Sequence, residues 1–217
     1  AFALLRKLGD RTRAEVVTQH FISAVGGTAE ARIELVAIQP VPELLSRDRI
    51  EADLADAVQH AVEEPWFWRR VAEQQRRLGR LGDALDAIEH ALRIKPDDFA
   101  AGCVRVEILI RQGKERLARK HLAEIVPFMP DTIQGLLQVA EIATDGHDAA
   151  VAHHAIDRAM AVIEPGWHGP RLRLIRVMLA HGDERAVEAI RDLTAVCEDP
   201  NTLRHLFKMC YDKDYKD

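Results

Sequence analysis

Aromatic residues are scarce, 5% of the 217, and there are only three cysteines, Cys103, Cys197 and Cys210. The cysteines form no C-x-x-C pair and are odd in number, which argues against a disulfide framework. Buried or half-buried thiols are expected. A basic excess is missing too. The formal net charge is −5 at pH 7, whereas binding to nucleic-acid phosphates calls for clustered positive charge. No apolar run approaches the ~18 residues of a membrane span. No segment reads as a signal peptide, although the chain begins at Ala1 without methionine and a signal or neighbouring domain could have been removed. Catalytic signatures are absent as well: there is no G-x-S-x-G, no phosphate-cradling glycine loop, no G-x-G-x-x-G and no H-E-x-x-H.

What is present is a period. Ala84, Ala118, Ala152 and Ala186 stand 34 residues apart, and a fixed spacing of this size marks a stacked helical array. The clearest copy covers residues 65–98. Pro65 suits a first helical turn, and Trp66, Trp68, Val71, Ala72 and Leu78 follow at helical spacing. Gly79 and Gly82 break that helix. Ala84, Leu85, Ile88, Ala91, Leu92 and Ile94 then form one face of a second helix, which Lys95-Pro96 ends. Asp97 and Asp98 supply the next cap.

The second copy, residues 99–132, repeats Gly113, Leu122 and Pro130, with Asp131 and Thr132 as the following cap. The third, 133–166, uses Gly146, Ala152, Ile156 and Ala159 and closes at Pro165, one residue out of register. The fourth, 167–200, uses Gly182, Ala186, Ile190 and Leu193 and closes at Pro200. Small residues at the repeated position let two antiparallel helices approach closely without loss of helix propensity. One pair cannot bury its own apolar face, so each copy needs the next.

In the best copy the residues Trp68, Val71-Ala72, Gln75, Ala84, Ile88, Ala91 and Pro96 resemble the tetratricopeptide repeat pattern, with Gln75 in place of its tyrosine. The resemblance covers residues 65–200. It implies an all-α fold: a right-handed superhelical array of antiparallel helix pairs, a solenoid whose concave face grips a peptide or partner protein.

Residues 1–64 are helical in pattern but out of phase with the repeat. Leu4, Leu5 and Leu8 form one apolar face. Val16, Val17, His20, Phe21, Ala24 and Val25 form another, ended by Gly26-Gly27. Ile33, Leu35, Val36 and Ile38 follow, Pro40 and Pro42 make a break, and Leu54, Val58, Ala61 and Val62 mark a longer helix. Gly9, Ala14 and Phe21 fit the second half of a decayed repeat, so this region reads as degenerate repeats or an N-terminal cap. At the other end, Asn201 or Thr202 would cap a last helix within residues 201–213 that covers the open end. Residues 214–217 match the start of an acidic epitope tag and are set aside.

The resemblance also implies which residues line the concave face, because first helices line it in that family. They are Trp66, Arg69, Glu73, Arg76 and Arg77 in the first copy, Cys103, Glu107 and Arg111 in the second, and Gln134, Leu137 and Glu141 in the third. Arg69, Arg76 and Arg77 lie within about two helical turns and could pair bidentately with the carboxylates of an acidic peptide. The blander reading is a solvated helix with Glu73–Arg77 as an i,i+4 pair. A clamp for a terminal carboxylate is doubtful, since Cys103, Glu107 and Glu141 are not basic. Trp68 takes the family's core position, leaving Trp66 for the groove or a neighbouring helix. His147, His153, His154 and Asp157 are close in sequence, but adjacent histidines diverge by about 100° on a helix and chelate poorly together. No metal or cofactor is expected.

The sequence therefore points to a non-enzymatic protein-interaction scaffold that binds a protein or peptide segment, with no nucleic-acid partner and no membrane span. A second reading is the regulatory or targeting part of a larger enzyme, such as an envelope-polysaccharide glycosyltransferase. A third is a homo-oligomer stacked through open solenoid ends. The excess of arginine over lysine and the abundance of alanine suggest a bacterial source. The expected compartment is the cytoplasm, or the periplasm if a signal was removed.

Overall fold

The computed structural model describes residues 47–164 and 166–212, with Val16, His20, Thr28 and Ile33 as isolated positions. Several sequence expectations lie outside the described residues: the apolar groups at Leu4, Leu5 and Leu8, at Val17, Phe21, Ala24 and Val25, and at Leu35, Val36 and Ile38; the half-repeat at Gly9 and Ala14; the breaks at Gly26-Gly27, Pro40 and Pro42; Pro165; and residues 213–217. Val16 and His20 are helical but exposed, so the apolar face proposed through them is uncovered at both positions, whereas Ile33 is fully buried.

The described residues form ten α-helices and no strand. The chain divides into two units, Ala1–Gly113 and Lys114–Asp217. The first contains α1 (Arg47–Gln59), α2 (Pro65–Arg77), α3 (Leu81–Ile94) and α4 (Phe99–Arg111). The second contains α5 (Glu115–Ile125), a 3₁₀ turn (Val126–Phe128), α6 (Ile133–Asp145), α7 (Ala149–Val162), α8 (His168–His181), α9 (Ala186–Val196) and α10 (Pro200–Asp212).

In the first unit a three-residue link joins α2 to α3, which leaves only an antiparallel course. Gly79 holds φ +80° in that link, a left-handed conformation that glycine adopts without steric cost. Gly82, expected to help break the helix, instead lies in the first turn of α3. Ala84, Ile88 and Ala91 are fully buried and meet Phe67, Val71 and Ala72 of α2. The period also runs further back than the alanines showed. Ile50, Leu54 and Ala57 of α1 are buried, and each stands 34 residues before Ala84, Ile88 or Ala91. So α1 is in phase as a second helix. Its small-residue position carries isoleucine, which a search for alanine passes over. Asp98 caps α4, its Oδ1 accepting from Ala101 N–H at 3.0 Å.

The second unit repeats the plan. Ala118, Ala152 and Ala186 are all buried. Thr132 Oγ1 accepts from Gly135 N–H at 3.2 Å and caps α6, and Asp148 caps α7. Between α6 and α7, however, the left-handed residue is His147 (φ 54°), while Gly146 has φ −85°. The turn thus keeps its 34-residue step from Gly79 and Gly113 and places a histidine where they have glycine. The cap of α10 is Asp199, which accepts from Thr202 N–H at 2.9 Å and from Asn201 N–H at 3.3 Å. Asn201 and Thr202 are therefore donors to the cap and not the cap itself. Ile175, Leu193, Cys197 and Leu206 join α8, α9 and α10 in one cluster.

Candidate functional site

On α2, Trp66, Arg69, Glu73, Arg76 and Arg77 fall within an arc of about 100° at ~100° per residue. Phe67 and Val71 are buried elsewhere around the helix. This face stands beside α4. Arg69 Nη1 lies 3.5 Å from Asp98 Oδ1 and Arg76 Nη1 lies 3.1 Å from Glu107 Oε2. Arg70 bonds Glu73 at 3.1 Å, and Arg77 donates to Gln74 Oε1 at 3.0 Å. Two of the three arginines expected to grip a partner are thus engaged inside the unit, where they tie α2 to α4. Arg77 and Arg111 are exposed. Cys103, expected on the lining, is fully buried. Burial pushes its thiol up to about 12, and the nearby Glu107 and Asp98 add to the rise, so it stays protonated and unreactive at neutral pH.

The aromatic cluster differs from the family-based expectation. Phe67, not Trp68, is the fully buried ring. Trp66 and Trp68 flank it edge-on at centroid distances of 6.1 and 5.7 Å, and both are half-buried against the core. Trp68 stacks on His90 of α3 at 4.1 Å, and His90 Nε2 lies 3.1 Å from Glu63 Oε2.

In the second unit the expected residues separate. Gln134 is exposed, Leu137 is buried, and Glu141 is half-buried. Glu141 meets two residues that sequence reasoning missed. Arg173 donates from Nε (2.7 Å) and Nη2 (2.6 Å) to its two carboxylate oxygens, and Arg176 Nη2 donates at 2.7 Å. Burial alone would raise this carboxyl, but the hydrogen bonds and charges of the two guanidinium groups hold it below its usual range. The family-based lining was drawn only for the first three copies, and these arginines stand in the fourth. The run Arg171, Arg173, Arg176 on α8 was the available signal.

Beside this cluster a concavity of about 360 Å³ opens between α6 and α8, lined by Glu141, Thr144, Asp145, Arg176, Val177 and Ala180. Thr144 Oγ1 is buried there without a hydrogen-bond partner, a group that costs free energy until something pairs with it. His153 Nε2 lies 3.9 Å from Asp157 Oδ2, and Arg185 also donates to Asp157. Among the described residues no three histidine, cysteine or carboxylate groups are placed to hold a metal ion, and no helix is long and apolar enough to cross a membrane.

No protein-family model and no curated protein sequence matches the chain. Solved structures do. PilW, a widely conserved type IV pilus biogenesis factor, superposes with a TM-score of 0.64 at 14% identity over 94% of each chain. A tetratricopeptide repeat protein from Parabacteroides merdae gives 0.60 at 15% identity, over 96% of this chain and 82% of that one. The anaphase-promoting-complex hetero-tetramer Cut9-Hcn1 gives 0.58 at 13% identity, over 98% of this chain but only 42% of that one. The fold is therefore the tetratricopeptide-type array of helix pairs.

Proposed function

We propose that this helical-repeat chain is a protein-interaction module that receives a partner segment on the first-helix faces of its units. The observation that carries this reading is the concavity between α6 and α8, where the half-buried Glu141, paired with Arg176, and the exposed Asp145 stand beside the apolar Val177 and Ala180. An extended segment offers backbone N–H and C=O groups that would pair with the Asp145 carboxylate and the Arg176 guanidinium there. In the first unit Trp66 supplies contact area on the face of α2, with Glu73 and Glu107 as polar neighbours. Arg77 and Arg111 offer exposed cations to an acidic segment. Arg69 and Arg76 hold that face in shape through Asp98 and Glu107. Gln134 and Glu141 play the corresponding parts on α6. Three free thiols suit a reducing compartment such as the cytoplasm.

The test is affinity purification of the intact chain from its host beside two variants, Arg77→Glu with Arg111→Glu, and Asp145→Lys. Both should keep native circular dichroism and lose the same specific partner. Equal recovery of all proteins by the three chains would overturn the reading.

A further inference from the structure

Within the second unit, α7, α8 and α9 enclose a crevice of about 250 Å³. Its floor is apolar: Ile163 just after α7, Leu174 and Ile175 of α8, and Ala189 of α9. Met160, 38% exposed, stands at its edge. Arg171, Arg185, Glu188 and Asp192 are its charged lining.

The repeat shows what such a crevice is made to hold. Counted from the starts of their helices, Pro65 and His168, Arg171 occupies the place of Trp68. Counted from the buried alanines Ala84 and Ala186, Asp192 occupies the place of His90. In the first unit those two positions carry the indole stacked on the imidazole at 4.1 Å. In the second unit both rings are replaced by charged side chains, and the crevice lies beside them.

We propose that this crevice is a docking site for a protein segment that presents one aromatic side chain next to a lysine or arginine. Three observations select that occupant. The chain itself fills the equivalent place with an aromatic ring. The volume falls below the ~300–1,000 Å³ usual for small-molecule sites and suits a single anchoring side chain. The rim offers carboxylates to a cation: Glu188 and Asp192 are exposed one turn apart on α9, while the donors of Arg185 go to Asp157 and Asp183. The Met160 thioether at the edge adapts to the face of an inserted ring. On α8 this crevice faces away from Arg173 and Arg176, by about half a turn. It is therefore separate from the first-helix face proposed above, and either can fail without the other.

The test uses methyl-labelled full-length chain and three capped tetrapeptides: Ser-Trp-Lys-Lys, Ser-Leu-Lys-Lys and Ser-Trp-Glu-Glu. The first should shift the methyl signals of Met160, Ile175 and Ala189 saturably, and the second should bind roughly two- to tenfold more weakly. Glu188→Lys with Asp192→Lys, both on the surface, should erase the preference for the lysine peptide over the glutamate peptide. Arg171→Trp with Asp192→His should rebuild the first unit's stack and abolish binding. Absence of saturable shifts, shifts confined to residues around Glu141, or equal binding by the filled variant would each overturn the proposal. So would a concentration-dependent mass without peptide that the filled variant removes, which would make a second copy of the chain the occupant.

Discussion

The hairpins α2–α3 and α6–α7 share one frame and close it differently. Their second helices match position for position: Ala84, Ile88 and Ala91 in one, Ala152, Ile156 and Ala159 in the other, all fully buried. Their first helices do not. Where α2 has Phe67, the largest fully buried side chain, α6 has Gly135. A methyl group on Gly135 would stand 2.6 Å from Pro130 Cγ and 3.0 Å from the Pro130 carbonyl oxygen. The first hairpin fills its interior with a ring, while the second brings the incoming chain against the helix itself. The repeat thus fixes where helices cross, and each copy settles separately what occupies the space between them.

The largest test of that contrast is Phe67→Ala. A cavity in a filled core should cost about 3–5 kcal/mol, read as faster amide exchange through α2 and α3. Unchanged exchange there would mean that the ring is not the keystone of the first hairpin. Gly135→Ala should also destabilise, by about 1–3 kcal/mol, although alanine is the better helix former by about 1 kcal/mol. A gain in denaturant midpoint would show that Pro130 yields, and would remove the tight-approach half of the comparison.

Acid should separate the units next. Asp183, bonded by the Arg185 guanidinium, and Glu141, held by Arg173 and Arg176 against the upward pull of burial, are kept below their usual range, and both lie in the second unit. A carboxyl depressed in the folded state contributes stability that is complete above the ordinary carboxylate range of about 4. That contribution disappears as pH falls through the lower folded values. The protection factors of amides in α6, α8 and α9, with the intrinsic exchange rate at each pH divided out, should therefore fall on going from pH 5 to pH 3, and Arg173→Met with Arg176→Met should flatten that response. The smallest effect concerns the turns. His147→Gly should stabilise the second unit by a few tenths to about 1 kcal/mol, by relieving a left-handed histidine at some cost in chain entropy. Gly79→Ala should lose a comparable amount in the first. Opposite signs in the two turns, seen in their thermal midpoints, are the expected result.

Much of the helix plan was legible. The buried alanines, the left-handed Gly79, Gly113 and Gly182, and the caps at Asp98 and Thr132 are local features with short-range causes, so spacing alone revealed them. The reading failed where the signal depended on which residue type held a position. Ile50 stands in for alanine, and His147 for glycine. Asp199 caps α10 from the position before its proline. The candidate site was less legible. Arg69, Arg76 and Glu141 looked like an exposed lining, and each instead meets a partner some thirty residues away in sequence.

The sequence by itself determined that the chain would fold into helix pairs crossing at small residues on a 34-residue step, because helix periodicity, turn glycines and caps act over a few neighbouring residues. Only the tertiary structure decided which arginines are spent on internal carboxylates, which ring is buried, and where a crevice is left open. Long side chains have many rotamers, and the choice among them is made by the helix packed against them.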